Sequence, residues 1–384
     1  MHTGGKLIIL DDMFPLLATA FRIAEYNGYL EAFPGAEVHS TASSFHVLKE
    51  KRSFGEVRDE YARVYPQYRD RIFEFDASRH LCADLIYVMF LHNATFFIDW
   101  IEEADVPFVF TLYPGGKFYL NQSRSDLDLR RICYSPNLAK VIVTQKITRD
   151  YLLEEQFCPP EKIAFIFGGV LPSEPLTRHP VARKYWRRNK TTFDICFVAN
   201  KYTPRGVDKG YDVFVEVAKA LSKRHADILF HVVGPFDASD IDVGDLGDRI
   251  TFYGPRYTDF FPEFHSRMDI ILSPNAPFVL RPGAFDGFPT GCCIEAGLCG
   301  VAVFCTDVLH QNIAFNDGEE IVLIPRDPDG IVAVVNEYYG DYDRLRALAD
   351  RGQKAFQTVF GLRNQMEPRL RLLAECLAKG GEQR

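Results

Sequence analysis

Phe285 to Gly300 reads FDGFPTGCCIEAGLCG, and its residue types are those of an anion-binding turn feeding a short helix. An acid, Asp286, precedes a turn of Gly287, Phe288 and Pro289. A hydroxyl, Thr290, and a second glycine, Gly291, follow, and then an apolar helix that stops at Gly300. Thr290 is expected to cap the helix by accepting a backbone N–H, and Gly291 lets a ligand approach the main chain. Free N–H groups and the positive end of the helix dipole suit a phosphate or pyrophosphate. Glu295 comes about one turn later, where its carboxylate can accept hydrogen bonds from ribose hydroxyls. The plainer alternative is a turn ahead of a core helix. Against it stands the carboxylate itself, set in Cys-Cys-Ile-Glu-Ala-Gly-Leu-Cys, because ionised groups are rarely buried without a partner.

These residues resemble the donor-site signature of GT-B glycosyltransferases, in particular the retaining family-four group. Asp286 takes the place of the first acid, Glu295 of the second, and Leu298-Cys299-Gly300-Val301 of the helix end. The first acid is Asp rather than Glu, and the two acids stand one position further apart than the family usually has. The resemblance implies an α/β protein of the GT-B fold: two Rossmann-like, doubly wound parallel-sheet domains facing across a cleft.

Further segments match the family in order. Ala199 to Gly210 looks like the loop whose arginine and Lys-Gly pair hold the donor phosphates. Lys209-Gly210 fits the pair, and Lys201 or Arg205 stands nearest the arginine. Cations there stabilise charge that develops on a leaving diphosphate; the alternative is a solvated basic loop. Phe230 to Gly234 resembles the strand that ends in glycine beside the nucleotide, and Arg249 to Gly254 the strand that meets the base. Met268 to Pro274 resembles the unit before the donor turn. Arg281 reaches a phosphate or is a surface arginine.

In the first half, Thr111 to Gly116 occupies the place of a His-Gly pair that contacts the donor sugar. Tyr113 replaces the histidine, its hydroxyl bonding a sugar or its ring stacking on one, and Gly115-Gly116 follow. Asp11 and Asp12 end the first strand on the acceptor side. Either orients an acceptor hydroxyl or acts as base, or the two are a turn and a helix start. His92 is a further strand-end residue on that side, with a satisfied structural histidine as the competing reading. Asp126-Leu127-Asp128, Asp240-Ile241-Asp242 and Asp341-Tyr342-Asp343 spell a metal motif in charge-rich helical or loop contexts, and no metal is assigned to them. Cys292-Cys293 read as small core residues.

The elements that must position these residues follow from length and pattern. A chain of 384 residues suits two domains. We expect an acceptor-side domain over 1–171, a linker over 172–191, a nucleotide-sugar domain over 192–360, and a helix over 361–384 crossing back to the first. Apolar strand runs are expected at Lys6–Leu10, Val38–Ser40, Asp84–Leu91, Pro107–Leu112, Lys140–Thr144 and Ile163–Phe167. The second half repeats them at Phe193–Ala199, Ile228–Val233, Arg249–Tyr253, Asp269–Leu272, Val301–Cys305 and Ile321–Ile324. Ser43 to Asp76 reads as helical, and a helical tail from Tyr342 to Lys379 is interrupted near Gly361 and Pro368. The linker carries Pro172, Pro175 and Pro180 with Arg178, Arg183, Lys184, Arg187, Arg188 and Lys190; it is a solvated connection or a patch for anionic lipid head groups.

Composition excludes other classes. With 47% apolar and 25% charged residues the chain is a soluble globular type. No run spans a bilayer and no signal-peptide pattern is present. Nine cysteines without Cys-x-x-Cys spacing fit reduced thiols in the cytoplasm, and a net charge of −8 argues against nucleic-acid partners. The resemblance implies a hexosyl- or deoxyhexosyltransferase, expected in the cytoplasm or at the inner face of the membrane. It needs no cofactor beyond a nucleotide-diphosphate sugar as donor, and its acceptor is a glycan or lipid-linked glycan. By resemblance it acts with retention in bacterial surface polysaccharide or lipopolysaccharide synthesis. The alternatives are an inverting enzyme with Asp11 or Asp12 as base, a GT-B nucleotide-sugar epimerase, and a catalytically silent nucleotide-sugar-binding partner.

Overall fold

The computed structural model describes residues 5–79, 82–173, 176 and 181–382. The chain divides into two compact units, residues 1–172 with 362–384, and residues 173–361.

The first unit is built on a parallel seven-stranded sheet. Its strands are β1 (Leu7–Asp11), β2 (Glu37–Ser40), β3 (Ile72–Glu74), β4 (Leu85–Met89), β5 (Phe108–Leu112), β6 (Leu138–Val143) and β7 (Ile163–Phe165), in the order β3-β2-β1-β4-β5-β6-β7. Every residue of β1, β4 and β5 is buried, as continuous apolar runs require when helices cover both faces. The covering helices are α1 (Ala20–Ala32), α2 (Phe54–Val64), α3 (Leu91–Glu103), α4 (Ser123–Cys133) and α5 (Lys146–Glu154). The stretch read as helical from Ser43 also holds β3, an edge strand with only Ile72 fully buried, so it carries no apolar run to announce it. The C-terminal helix Leu362–Glu382 joins this unit through Met366, Leu373 and Leu377, which share a core cluster with Leu7, Tyr26 and Tyr29. Each such buried leucine is worth about 1.5–3 kcal/mol. Pro368 lies inside this helix without ending it; the break falls at Gly361.

The second unit repeats the plan with six parallel strands. These are β8 (Phe193–Val198), β9 (Ile228–Val233), β10 (Ile250–Phe252), β11 (Ile270–Ser273), β12 (Ala302–Cys305) and β13 (Val322–Leu323), ordered β10-β9-β8-β11-β12-β13. Helices α6 (Tyr211–Ser222), α7 (Phe261–His265), α8 (Gly291–Leu298), α9 (Pro328–Gly340) and α10 (Tyr342–Phe360) complete it.

The segment expected to be a solvated linker is built into this unit from Arg183 onward. Trp186 is 1% exposed and its indole N–H donates to Asp227 at 3.0 Å. Arg183 donates to the carbonyls of His265, Met268 and Cys299, and Lys190 bridges Asp194 and Asp269 at 2.7 and 2.6 Å. Those two cations are therefore not offered to lipid; Lys184, Arg187 and Arg188 remain exposed. Pro175, Arg178 and Pro180 lie outside the described residues.

Both sheets have the strand order of a doubly wound fold. In each, the first strand sits between neighbours whose connections leave to opposite sides, β1 between β2 and β4, and β8 between β9 and β11. The crevice at the carboxyl ends of those strand pairs is where such folds bind ligands.

Candidate functional site

In the second unit the connections leaving β8 and β11 meet at that crevice, and glycine lets them meet. Gly210 has φ +74°, and a Cβ placed there would lie 2.1 Å from the Pro274 carbonyl oxygen. Ala276 N–H donates to the Asp208 carbonyl at 3.0 Å, a second tie between the two loops. Gly234, at the end of β9, is equally confined: its Cβ would fall 2.0 Å from the Ala199 carbonyl oxygen. The result is an ion pair between residues distant in sequence, with Lys209 Nζ 2.5 Å from Asp286 Oδ2. The lysine side chain is 14% exposed and the aspartate 38%. Burial alone would lower the Lys209 pKa, but the Asp286 charge and hydrogen bond outweigh it and raise the value. The exposed ring of Tyr202 lies 5.1 Å from the same ammonium.

Helix α8 starts beside this pair. Thr290 occupies the N-cap position, yet its hydroxyl caps no backbone N–H. Its Oγ1 lies instead 3.2 and 3.3 Å from the thiols of Cys292 and Cys293, so the expected side-chain cap is absent. Thr290 therefore does not consume a first-turn donor, which leaves that N–H for an anion at the helix start. One turn on, Glu295 is partly exposed and has no hydrogen-bond or ion-pair partner among the described residues. Burial pushes its carboxyl up to about 7.

A cleft of about 400 Å³, open to solvent, adjoins the turn; Ser273, Asn275, Asp286, Gly287, Thr290 and Thr306 are among its lining residues. Its far wall is the connection after β12, Thr306 to Gln311, which sequence reasoning did not single out. That wall is held in place: Thr306 donates to the Asn275 carbonyl at 2.7 Å, and Asp307 accepts from the N–H groups of Gln311 and Asn312. Its position at a strand end was the available signal.

Among the cations expected at the phosphates, Lys201 is committed elsewhere, bound to both oxygens of Asp240 at 2.7 and 2.9 Å. Arg205 and Arg281 are exposed and form no ion pair among the described residues. Lys209 alone of the four is both shielded and at the crevice. Gly287, Phe288 and Gly291 lie in the turn and first helical position, with Phe288 buried.

In the first unit the expected acceptor residues also converge on one switch point, but most are consumed by structure. Asp11 is 0% exposed; it accepts from the N–H groups of Met13 and Phe14 at 2.8 and 2.7 Å, and from Arg22 and Tyr26. It is a turn-former, not a base. Asp12 is 3% exposed and accepts from Asn93 at 3.0 Å and from Arg22 at 3.3 Å, with His92 Nε2 at 2.7 Å. Burial would raise its carboxyl, but the His92 hydrogen bond and the Arg22 charge hold it well below the usual carboxylate range. A carboxylate so satisfied is a poor base.

His92 belongs to the first turn of α3 rather than to a strand end, and its side chain keeps 21% exposure. Gly116 and Gly115 form the adjoining turn, both left-handed; a Cβ on Gly116 would come within 2.6 Å of Phe90. Tyr113 is core: its hydroxyl donates to Glu25 at 2.7 Å and lies 3.5 Å from buried Arg369, so neither ring nor hydroxyl is presented to a sugar.

The Asp-x-Asp pairs have local duties. Asp126 accepts from Tyr151 at 2.7 Å, Asp240 holds Lys201, and Asp341 caps α10 through the Arg344 N–H at 3.0 Å. Among the described residues no group of three or more His, Cys, Asp or Glu side chains is arranged to hold a metal ion.

The architecture recurs in solved structures. HepE from Anabaena, solved in complex with UDP, superposes with a TM-score of 0.70 at 16% identity, over 96% of this chain and 100% of that one. A glycosyltransferase from Rickettsia africae matches at 0.66 and 15%, over 97% and 99% of the chains. Sucrose-phosphate synthase from Thermosynechococcus elongatus matches at 0.64 and 16%, over 96% and 99%. The fold is therefore GT-B. Residues 192–341, the part that carries Lys209, Asp286 and Glu295, match the family model described as glycosyl transferases group 1. The chain thus has the GT-B fold, and the glycosyl transferases group 1 match falls within its second unit. A search of curated proteins returned no match.

Proposed function

We propose that this enzyme takes a nucleoside diphosphate sugar as donor and transfers the sugar to a hydroxyl of a glycan or lipid-linked glycan. The observation that carries the reading is Glu295, a half-buried carboxylate with no hydrogen-bond or ion-pair partner among the described residues, one turn inside the helix that follows the turn carrying Asp286, the partner of Lys209. Ribose hydroxyls would supply the donors that Glu295 lacks. The α8 amides and Lys209 would take the diphosphate, whose negative charge grows as the glycosidic bond breaks. Asp286 and the main chain from Gly287 to Gly291 would grip the sugar, and the transition state would be oxocarbenium-like. The HepE complexes with UDP and UDP-glucose support uracil as the base and glucose as a first sugar to try.

Retention of configuration is part of the proposal. An inverting route through Asp11 or Asp12 is disfavoured by their burial and saturated hydrogen bonding, which leaves His92, oriented by Asp12, as the accessible acceptor-side group. Anomer assignment of the product by NMR decides between the two. A role in surface polysaccharide synthesis agrees with a likeness to WaaB, a lipopolysaccharide outer core galactosyltransferase, at a TM-score of 0.59. No described helix is long and apolar enough to cross a membrane.

Thermal denaturation against UDP-, GDP-, dTDP- and CMP-sugars tests the donor reading. A ligand at 100 times its Kd adds about 2.7 kcal/mol to the stability of the folded state. One of the panel is expected to raise Tm in the wild type and not in Glu295→Ala. Failure of all four to do so would reject the reading.

A further inference from the structure

The Lys209–Asp286 pair also bears on how a donor enters, an inference that rests on the donor reading above. Lys209 is enclosed on most sides, with Tyr202 against one face, and its ammonium is turned to Asp286 at 2.5 Å. Asp286 is the looser partner. It is 38% exposed, has no second hydrogen-bond partner among the described residues, and sits between Gly283 and Gly287 in the connection from β11 to α8. Gly283 is left-handed, with φ +74°. A diphosphate brought to Lys209 and α8 would meet this carboxylate, and two anions on one shielded ammonium repel.

We propose that the Asp286 carboxylate sits on Lys209 where a donor phosphate would, so that a nucleoside diphosphate enters by displacing it and thereby releases it to the sugar. Asp286 is then both a competitor for the phosphate seat and a sugar ligand. It gates the site against anions too weak to displace it, and couples diphosphate capture to sugar positioning. The exchange breaks one ion pair and forms another, and no covalent bond changes. Asp286 acts on the diphosphate through Lys209, so its effect must depend on the ligand's charge.

The test is calorimetric titration of wild type, Asp286→Asn and Asp286→Ala with UDP, GDP and dTDP, each beside its uncharged nucleoside. Separating a partly exposed ion pair costs about 1 kcal/mol, roughly a fivefold change in affinity. Both variants are therefore expected to bind the preferred diphosphate about 3- to 10-fold more tightly than wild type. Nucleoside affinity should stay unchanged, and turnover with the matching glucose donor should fall at least about tenfold. Equal or weaker diphosphate binding by both variants would overturn the gate. So would tightening that extends to the nucleoside, because that effect would not act through Lys209. Wild type that binds none of the three diphosphates would sink the donor reading itself, a different result from unaltered binding in the variants.

Discussion

Replacing Glu295 with glutamine should make the protein more stable and less useful at once. Burial raises this carboxyl from an ordinary 4.5 to about 7 in the folded chain. A carboxyl raised on folding contributes no penalty below its unfolded value and a growing one as pH climbs through the folded value. The shift corresponds to about 3 kcal/mol, discounted to about 2–3 kcal/mol because the side chain keeps some contact with solvent. Glutamine has nearly the same shape and never carries that charge. At pH 8 Glu295→Gln should therefore gain about 2–3 kcal/mol over wild type, or about 5–10 °C in Tm for a unit of this size. At pH 4 the two proteins should melt together. Differential scanning calorimetry from pH 4 to 8 reads this directly. The same variant should lose the rise in Tm that the donor gives the wild type. A variant equal to or below wild type at pH 8, or an advantage that does not depend on pH, would refute the argument that Glu295 is held at a cost for a ligand.

Other outcomes follow from the same geometry. Lys209→Ala should lower kcat/KM by about 10²–10³-fold through the loss of a cation at the leaving group; it should change stability by less than about 1 kcal/mol, since the exposed Asp286 is readily solvated. Gly210→Ala should destabilise the chain by several kcal/mol, because a Cβ 2.1 Å from the Pro274 carbonyl must force apart the two loops that bring Lys209 to Asp286. Urea unfolding measures that loss. Tyr113→Phe should cost about 1–2 kcal/mol by leaving Glu25 one donor short, while KM for the donor stays unchanged. A raised KM with normal stability would instead restore Tyr113 to the sugar.

The parallel sheets were legible because buried strands of this type are unbroken apolar runs: KLIIL, DLIYVMFL and ILFHVV each yield a strand. Ile72–Glu74 was not, since a three-residue edge strand with one buried side chain carries no such run. At the site, residue type told more than partner. The types of Lys209, Asp286 and Glu295 mark them in the sequence, but nothing local distinguishes Lys201 from Lys209, because the Asp240 that binds Lys201 lies 39 residues away. Tyr113 and Asp11 fail for the same reason, since their partners Glu25, Arg369 and Tyr26 lie in other elements. Thr290 has the right residue type for a cap, but its neighbouring thiols engage its hydroxyl.

The chain begins and ends in one unit, and the other is a single uninterrupted segment between them. A fragment of residues 173–361 thus keeps its whole set of strands and helices, with Lys209, Asp286 and Glu295 among them. A truncation after Gly361 strips Met366, Leu373 and Leu377 from beneath the amino-terminal strands and bares an apolar face that invites aggregation. The unit of residues 173–361 is the portable one, and loss of residues 362–382 falls on the other unit, far from them in sequence.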